Sequence, residues 1–333
     1  MKLERNIRLL NIAKGILWNI IEDKSTVHIE ASEKAIDRII LDNSDKQDSS
    51  ILYVSTHKSL WETVGIPYSI NKFTGDVPYI FAGSNLFKNP FLKFLFNNTG
   101  VFPVDRDSTM KSSKKLKNDM RTVLSHGNAL LFAEGPRSRN GLVSSFRPAG
   151  LEGAIEASNS GKNIYVITAN VDYSDVFDLK SMSKTGNGQK FKTGDFFKWR
   201  AKNLGDIYIS LGDPILIDKS CSREYLANLA REQCMDLVKI LPVNVYAKAL
   251  QQLDLSSGSP VIPFAMYESI HDVIKKLETH KDKFRGFSDN TNPSEIFNKV
   301  SPVFGLNKYY TKEIIDKSRI YSNYINHYTD GKY

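Results

Sequence analysis

Residues 51–62 of this 333-residue chain read ILYVSTHKSLWE. The apolar run at 51–54 is typical of a strand that is buried on both faces. The polar residues that follow place His57 just after the strand and Glu62 five positions further on. On one continuous helix, five positions correspond to about 140° of rotation, which would put the two side chains on different faces. The pair can therefore meet only if His57 lies in a turn and Glu62 lies at the start of the next helix.

The same alternation of strand and helix continues along most of the chain. Strands are predicted at 26–30, 51–55, 77–82, 129–133, 164–170 and 206–211, and helices at 31–42, 59–72, 85–97, 108–126, 147–159 and 222–240. Strands separated by helices indicate an α/β fold with a mixed, largely parallel central sheet flanked by helices. In such sheets, reactive residues lie just beyond the strand ends.

The two ends of the chain differ from this α/β region. Residues 1–24 are predicted to form an amphipathic helix whose apolar arc covers about half of the helical wheel. So wide an arc fits packing on the core, a position on a bilayer surface, or both together. Residues 256–263 are rich in Ser, Gly and Pro and have the composition of a linker. The predicted units are therefore the N-terminal helix at 1–24, an α/β domain at 25–255 and a C-terminal helical appendage at 256–333.

Composition narrows the classes of function. The chain has 41% hydrophobic and 25% charged residues, as globular proteins do, and a formal net charge of +8. Its basic residues are dispersed, apart from five between residues 190 and 202, and no nucleic-acid-binding motif is found, so nucleic acid is not expected as a partner. Neither a membrane-spanning stretch nor a signal peptide is predicted, and the two cysteines fit no metal or redox motif. We therefore expect a cytoplasmic protein.

Two further stretches place charged groups after predicted strands. Residues 129–133 lead directly into 134–139, which read EGPRSR. A rigid turn that presents guanidinium groups is suited to binding phosphate, and the alternative is a solvated basic loop. Residues 100–106 read GVFPVDR and end at Arg106, which is either a further cation in an anion pocket or part of a surface ion pair.

Together, in this order and spacing, the three stretches resemble the motifs of the glycerolipid acyltransferase family, which includes the glycerol-3-phosphate and lysophosphatidic acid acyltransferases. Residues 57–62 are similar to the family's histidine and aspartate separated by four residues. Residues 100–106 look like its apolar segment ending in a basic residue, and 132–138 look like its Phe-Pro-Glu-Gly-Thr-Arg-Ser motif. Residues 165–170 resemble a fourth, hydrophobic strand without its usual proline. The resemblance covers residues 25–240, and the motif at 132–138 is the most specific.

This resemblance implies an O-acyltransferase that moves a fatty acyl group from acyl-CoA or acyl-carrier protein to a hydroxyl of a phosphate-bearing acceptor, such as glycerol 3-phosphate or a lysophospholipid. His57 would be the general base and Glu62 the acid that orients it. Five residues would bind the acceptor and its phosphate: Arg106, Glu134, Gly135, Arg137 and Arg139. Neither a metal nor a bound cofactor is implied, because the thioester brings its own leaving group. The implied location is peripheral, on the cytoplasmic face of a membrane.

Two residues depart from the family pattern. Glu62 replaces aspartate and adds a methylene, and Pro136 replaces threonine and so removes a hydroxyl and an amide donor. These departures leave two alternatives open: acylation of a non-glycerolipid alcohol or amine, as in secondary metabolites or glycolipids, and a non-catalytic acyl-binding protein. Because aspartate is the family's residue, Glu62→Asp is expected to keep or raise activity. Four phenylalanines are candidates for either an acyl groove or the core: Phe87, Phe91, Phe94 and Phe96.

Overall fold

The computed structural model describes residues 3–44, 48–105, 109–138, 140–175, 205–218, 220–253, 259–288, 291–304 and 312–329. Four of the predicted features lie outside these residues: Arg106, Arg139, the basic residues at 190–202 and the domain boundary at 255/256.

The described residues form a sheet with helices on both faces. Its strands are β1 (Ser25–Ala31), β2 (Ser49–Ser55), β3 (Tyr79–Gly83), β4 (Val101–Val104), β5 (Ala129–Phe132), β6 (Asn163–Tyr173), β7 (Gly205–Leu211) and β8 (Ile215–Leu216). The helices are α1 (Ile7–Lys24), α2 (Glu33–Ser44), α3 (Glu62–Thr74), α4 (Pro90–Thr99), α5 (Met110–Leu124), α6 (Pro148–Asn159), α7 (Arg223–Asp236), α8 (Pro242–Gln252), α9 (Pro263–Lys276), α10 (Pro293–Phe304), α11 (Lys312–Asn323) and α12 (Asn326–Thr329).

Strand order in the sheet is β1-β7-β6-β2-β5-β3-β4, and β8 also pairs with β6. The strands from β6 to β4 are parallel to their neighbours, β1 is parallel to β7, and β7 and β8 run antiparallel to β6. The prediction of a mixed, largely parallel α/β sheet is therefore confirmed. The carboxyl ends of β2, β5 and β6 lie at one edge, and this edge carries the residues singled out in the sequence.

Alternate residues of β2 face opposite sides of the sheet. Ile51 and Tyr53 join a core cluster that includes α3 and the helices α8 to α11. Leu52 and Val54 join a second cluster, which includes α5, α6 and α7. Both faces of β2 are thus covered by helices, which explains why its sequence is apolar without alternation.

Several predicted helices needed correction. The helix predicted at 85–97 is a 3-10 helix, Ser84–Lys88, followed by α4. The break occurs because the Asn89 side chain accepts the Leu92 N–H at the start of α4. The helix predicted at 222–240 ends at Asp236, and α8 and α10 were not predicted. Phe91 and Phe94 are 67% and 60% exposed, so their interpretation as core residues is wrong.

The terminal helices differ in how deeply they pack. The predicted N-terminal helix is α1, whose Ile21 is buried while Ile7, Ile12 and Ile16 stay exposed. Helices α8 to α11 contribute fully buried side chains to the same cluster as the sheet. The domain boundary at 255/256 stays a prediction. Across the described parts of the chain, no helix is both long and apolar enough to cross a membrane.

Candidate active site

Two adjacent parallel strands, β2 and β5, bring together the motif at 57–62 and the motif at 132–138. Ser55 of β2 lies opposite Phe132 of β5, so the chain leaves both strands at the same level. His57 follows the first strand and Glu134 follows the second. The Glu134 carboxylate accepts the backbone N–H of His57 at 2.8 Å, and the backbone N–H of Ser138 donates to the His57 carbonyl at 2.7 Å. The two motifs therefore form one structural unit.

His57 and Glu62 meet in the way that the sequence required. Helix α3 begins at Glu62, and His57 lies in the turn before it. The His57 Nδ1 is 2.9 Å from a Glu62 carboxylate oxygen, and both side chains are buried. A carboxylate can only accept here, so Nδ1 carries the proton and the lone pair of the neutral ring lies on Nε2. The ring also stacks on Phe132 at a centroid distance of 4.5 Å.

Glu62 also organises the turn that carries the histidine. Its carboxylate accepts the backbone N–H of Lys58 at 3.1 Å and that of Ser59 at 2.8 Å. The hydroxyl of Tyr173, near the end of β6, donates to the same carboxylate at 3.2 Å. The longer side chain, which departs from the family pattern, thus satisfies the amide groups of the 57–62 turn as well as the imidazole.

Glu134 occupies a similar position in the other loop. Its two carboxylate oxygens accept the N–H groups of His57 and Ser144, at 2.8 and 2.9 Å. Burial raises the pKa of the Glu134 carboxyl to about 7, against the opposing effect of these two hydrogen bonds. The nearby Glu62 raises this pKa further, and Lys58 lowers it. Glu134 therefore acts through the backbone, holding the two loops together.

The basic side chains expected at the anion site are only partly described. Arg137 is half-buried in the loop after Glu134. Gly135 has a φ of +84°, and a Cβ added to it would lie 3.0 Å from Nε of Arg147. Arg147 is exposed and was not predicted. Arg147 lies immediately before α6, and its backbone N–H donates to the Ala133 carbonyl at 2.8 Å. This position places a second guanidinium beside the turn.

A buried ion pair beneath the site was also missed. Lys58 Nζ lies 2.5 Å from Asp172, and both side chains are almost fully buried. The second Asp172 oxygen accepts the side-chain amide of Asn170 and the N–H of Lys239, at 2.6 and 2.7 Å. Asn170 and Asp172 lie beyond the end of β2 because β6 continues past Ala169, which pairs with Ser55, the last residue of β2. The polar residues 170 and 172 at the end of an apolar strand are the signal that could have revealed the pair.

Comparison with protein-family models gives a match over part of the chain. Residues 28–172 match the family model described as Acyltransferase. The matched segment includes His57, Glu62, Glu134, Arg137 and both partners of the Lys58–Asp172 ion pair.

Among solved structures, the chain is similar to the crystal structure of the 1-acyl-sn-glycerophosphate (LPA) acyltransferase PlsC from Thermotoga maritima. Sequence identity is 16%, the match covers 69% of this chain and 76% of that chain, and the TM-score is 0.41. No curated protein sequence matches this chain.

Proposed function

We propose that this protein is an acyltransferase that moves a fatty acyl group from an acyl thioester, either acyl-CoA or acyl-carrier protein, to a hydroxyl of a phosphate-bearing acceptor such as glycerol 3-phosphate or a lysophospholipid. The observation that supports this proposal best is the buried His57–Glu62 pair at 2.9 Å. A histidine whose Nδ1 is fixed by a carboxylate is suited to take a proton from an alcohol through Nε2. The same loops carry the guanidinium groups suited to an anionic acceptor.

The proposed reaction is a direct displacement at the thioester. The acceptor hydroxyl oxygen attacks the thioester carbonyl as His57 Nε2 takes its proton, and a C–O bond forms. Glu62 stabilises the imidazolium ion. The tetrahedral intermediate then breaks its C–S bond, and the thiolate leaves with the proton from His57. No protein nucleophile, metal or bound cofactor takes part in this proposal, because the thiolate is already a good leaving group.

For the acceptor, we propose that the loop after β5 binds the phosphate. Arg137 lies in this loop and Arg147 lies against Gly135. Arg106 and Arg139 remain proposed ligands on the basis of the sequence resemblance. Glu134 and Gly135 would shape the site, Glu134 by its hydrogen bonds to both loops and Gly135 by leaving room beside the Arg147 guanidinium.

The experiment is an acceptor screen with labelled acyl-CoA and acyl-carrier protein. Wild-type protein should form a new lipid with glycerol 3-phosphate or a lysophospholipid, and His57→Ala should form none. His126→Ala, which removes an exposed histidine at the end of α5, is the matched control and should keep full activity. Full turnover by His57→Ala would remove the base assignment. Faster transfer to an uncharged alcohol or an amine would replace the phosphate-bearing acceptor, and acyl binding without any transfer would support a non-catalytic protein.

We also propose peripheral binding to the cytoplasmic face of a membrane. Helices α1 and α4 contact each other and together expose Ile7, Ile12, Ile16, Phe91 and Phe94. Apolar side chains on a chain of net charge +8 are suited to an anionic bilayer surface.

Membrane binding is tested by co-sedimentation with phosphatidylglycerol vesicles. Ile12→Asp and Phe91→Asp should each reduce the bound fraction. Leu216→Asp, which changes an exposed apolar residue on β8, is the control and should not. Equal binding by all four proteins would contradict this surface.

A further inference from the structure

The C-terminal helices contact the loop that carries Arg137. The side-chain amide of Asn323, the last residue of α11, donates to the carbonyl of Asn140 at 2.7 Å. Next to it, Gly141 has a φ of +82° and approaches α11 so closely that an added Cβ would lie 2.2 Å from the Ile320 carbonyl oxygen. The backbone of the loop therefore rests directly on the final turn of α11.

A chain of hydrogen bonds fixes the direction of this contact. Lys248 of α8 can only donate, and its Nζ lies 2.9 Å from the side-chain oxygen of Asn326. The Asn326 amide nitrogen then faces the side-chain oxygen of Asn323, at 2.7 Å. That arrangement leaves the Asn323 amide nitrogen facing the Asn140 carbonyl. A lysine on a buried helix thus determines which end of the Asn323 amide meets the loop.

The same loop is tied to the histidine. Ser138 donates its N–H to the His57 carbonyl, and its hydroxyl accepts the N–H of Gly141 at 3.0 Å and donates to the Leu142 carbonyl at 2.9 Å. Only a few bonded groups therefore separate Asn323 from the backbone of His57. The loop that carries Arg137 is held at one end by the catalytic histidine's backbone and at the other by α11.

We propose that Asn323 is a positioning residue for the acceptor's anionic group. By fixing the carbonyl of Asn140, it holds the loop that carries Arg137 and so sets the position of the Arg137 guanidinium. This assigns a role to the C-terminal helices, which complete the anion-binding side of the site. The inference rests on the proposed function in that Arg137 is taken to bind the acceptor phosphate.

The test is Asn323→Asp, which keeps the shape of the side chain but replaces the donor with an oxygen that faces a carbonyl. The matched control is Asn298→Asp, the same change on the exposed surface of α10. Loss of one hydrogen bond and its replacement by repulsion should raise the KM for glycerol 3-phosphate about tenfold. The KM for acyl-CoA should stay unchanged, and the control should match wild type in both. A general loss of structure would instead lower kcat and raise both KM values.

Hydrogen–deuterium exchange of the peptide spanning 138–144 gives a readout that needs no turnover. It should exchange faster in Asn323→Asp and at the wild-type rate in Asn298→Asp. Unchanged exchange would overturn the proposal, and so would faster exchange with an unchanged KM for glycerol 3-phosphate. If wild type transfers no acyl group, the proposed function fails. Binding of glycerol 3-phosphate by calorimetry then replaces KM, and equal affinity in wild type and Asn323→Asp, or no binding, would overturn the positioning role.

Discussion

Glu62→Asp is the substitution for which the resemblance and the geometry give opposite expectations. Aspartate is the family's residue, so the sequence predicts that activity is kept or raised. In the structure, the Glu62 carboxylate lies 2.8 to 3.2 Å from four donors: His57 Nδ1, the N–H groups of Lys58 and Ser59, and the Tyr173 hydroxyl. Removing one methylene withdraws the carboxylate by ~1.5 Å. Most of these distances would then exceed the range of a hydrogen bond.

The expected loss of stability follows from the hydrogen-bond donors that would lose their acceptor. An unsatisfied buried backbone N–H costs roughly 1–3 kcal/mol, so losing both amide contacts should lower the free energy of unfolding by about 2–6 kcal/mol. The bond to His57 is charge-assisted once the imidazole takes a proton, and such bonds contribute about 1.5–3 kcal/mol. Losing it should lower kcat by roughly ten- to a hundredfold. We therefore expect Glu62→Asp to be less active and less stable.

The assay pairs kcat at saturating donor and acceptor with urea unfolding. Glu232→Asp, on the exposed surface of α7, is the matched control and should behave as wild type. If Glu62→Asp retains wild-type kcat and stability, the 57–62 turn is not built around the longer side chain, and the reasoning from these distances is refuted.

Three further predictions concern buried groups and packing. Because burial raises the pKa of Glu134 to about 7, its carboxyl stabilises the fold fully below pH 4.5 and loses that contribution as the pH rises through 7. Between pH 4.5 and 7, the free energy of unfolding of wild type, measured by urea titration, should fall by about 3 kcal/mol relative to that of Glu134→Gln. An equal dependence of this free energy on pH in the two proteins would contradict the raised pKa of Glu134. Lys58→Met leaves the buried Asp172 carboxylate without its lysine partner and should lower the free energy of unfolding by about 3–5 kcal/mol in the same titrations. Adding Asp172→Asn should recover most of this loss. Gly153→Ala places a Cβ 2.4 Å from a backbone oxygen of α5 and should lower the free energy of unfolding, measured by thermal unfolding, by about 1–3 kcal/mol. The control is Gly15→Ala, whose added Cβ would have no atom within 4 Å and should not lower it.

Short stretches of the sequence predicted much of the candidate site. The apolar runs at 51–54 and 129–133 predicted buried parallel strands, and polar residues directly after them predicted a shared edge. The separation of His57 and Glu62 required a turn followed by a helix start, which is what the structure contains. Chain geometry sufficed here because a strand end and the next few residues stay close together in any fold.

Contacts between distant segments were beyond these signals. The sequence contained no indication that Arg147 would lie beside Gly135 or that Asn323 would reach Asn140. For the Lys58–Asp172 ion pair, it offered only the polar residues 170 and 172 at the end of an apolar strand. The C-terminal helical appendage at 256–333 stays a prediction, and the sequence did not indicate that α9 to α11 would share a core cluster with the sheet.

The order of strands and helices, the catalytic candidates and the family resemblance could all be predicted from the sequence, because each depends on a short stretch of chain. The three-dimensional arrangement was needed to show which loops touch, how the Glu62 and Glu134 carboxylates are hydrogen-bonded, and that α11 contacts the loop that carries Arg137. These contacts depend on the register and packing of elements that lie up to a few hundred residues apart in the chain. The hydrophobic periodicity of a sequence gives information only about residues within a few positions of each other.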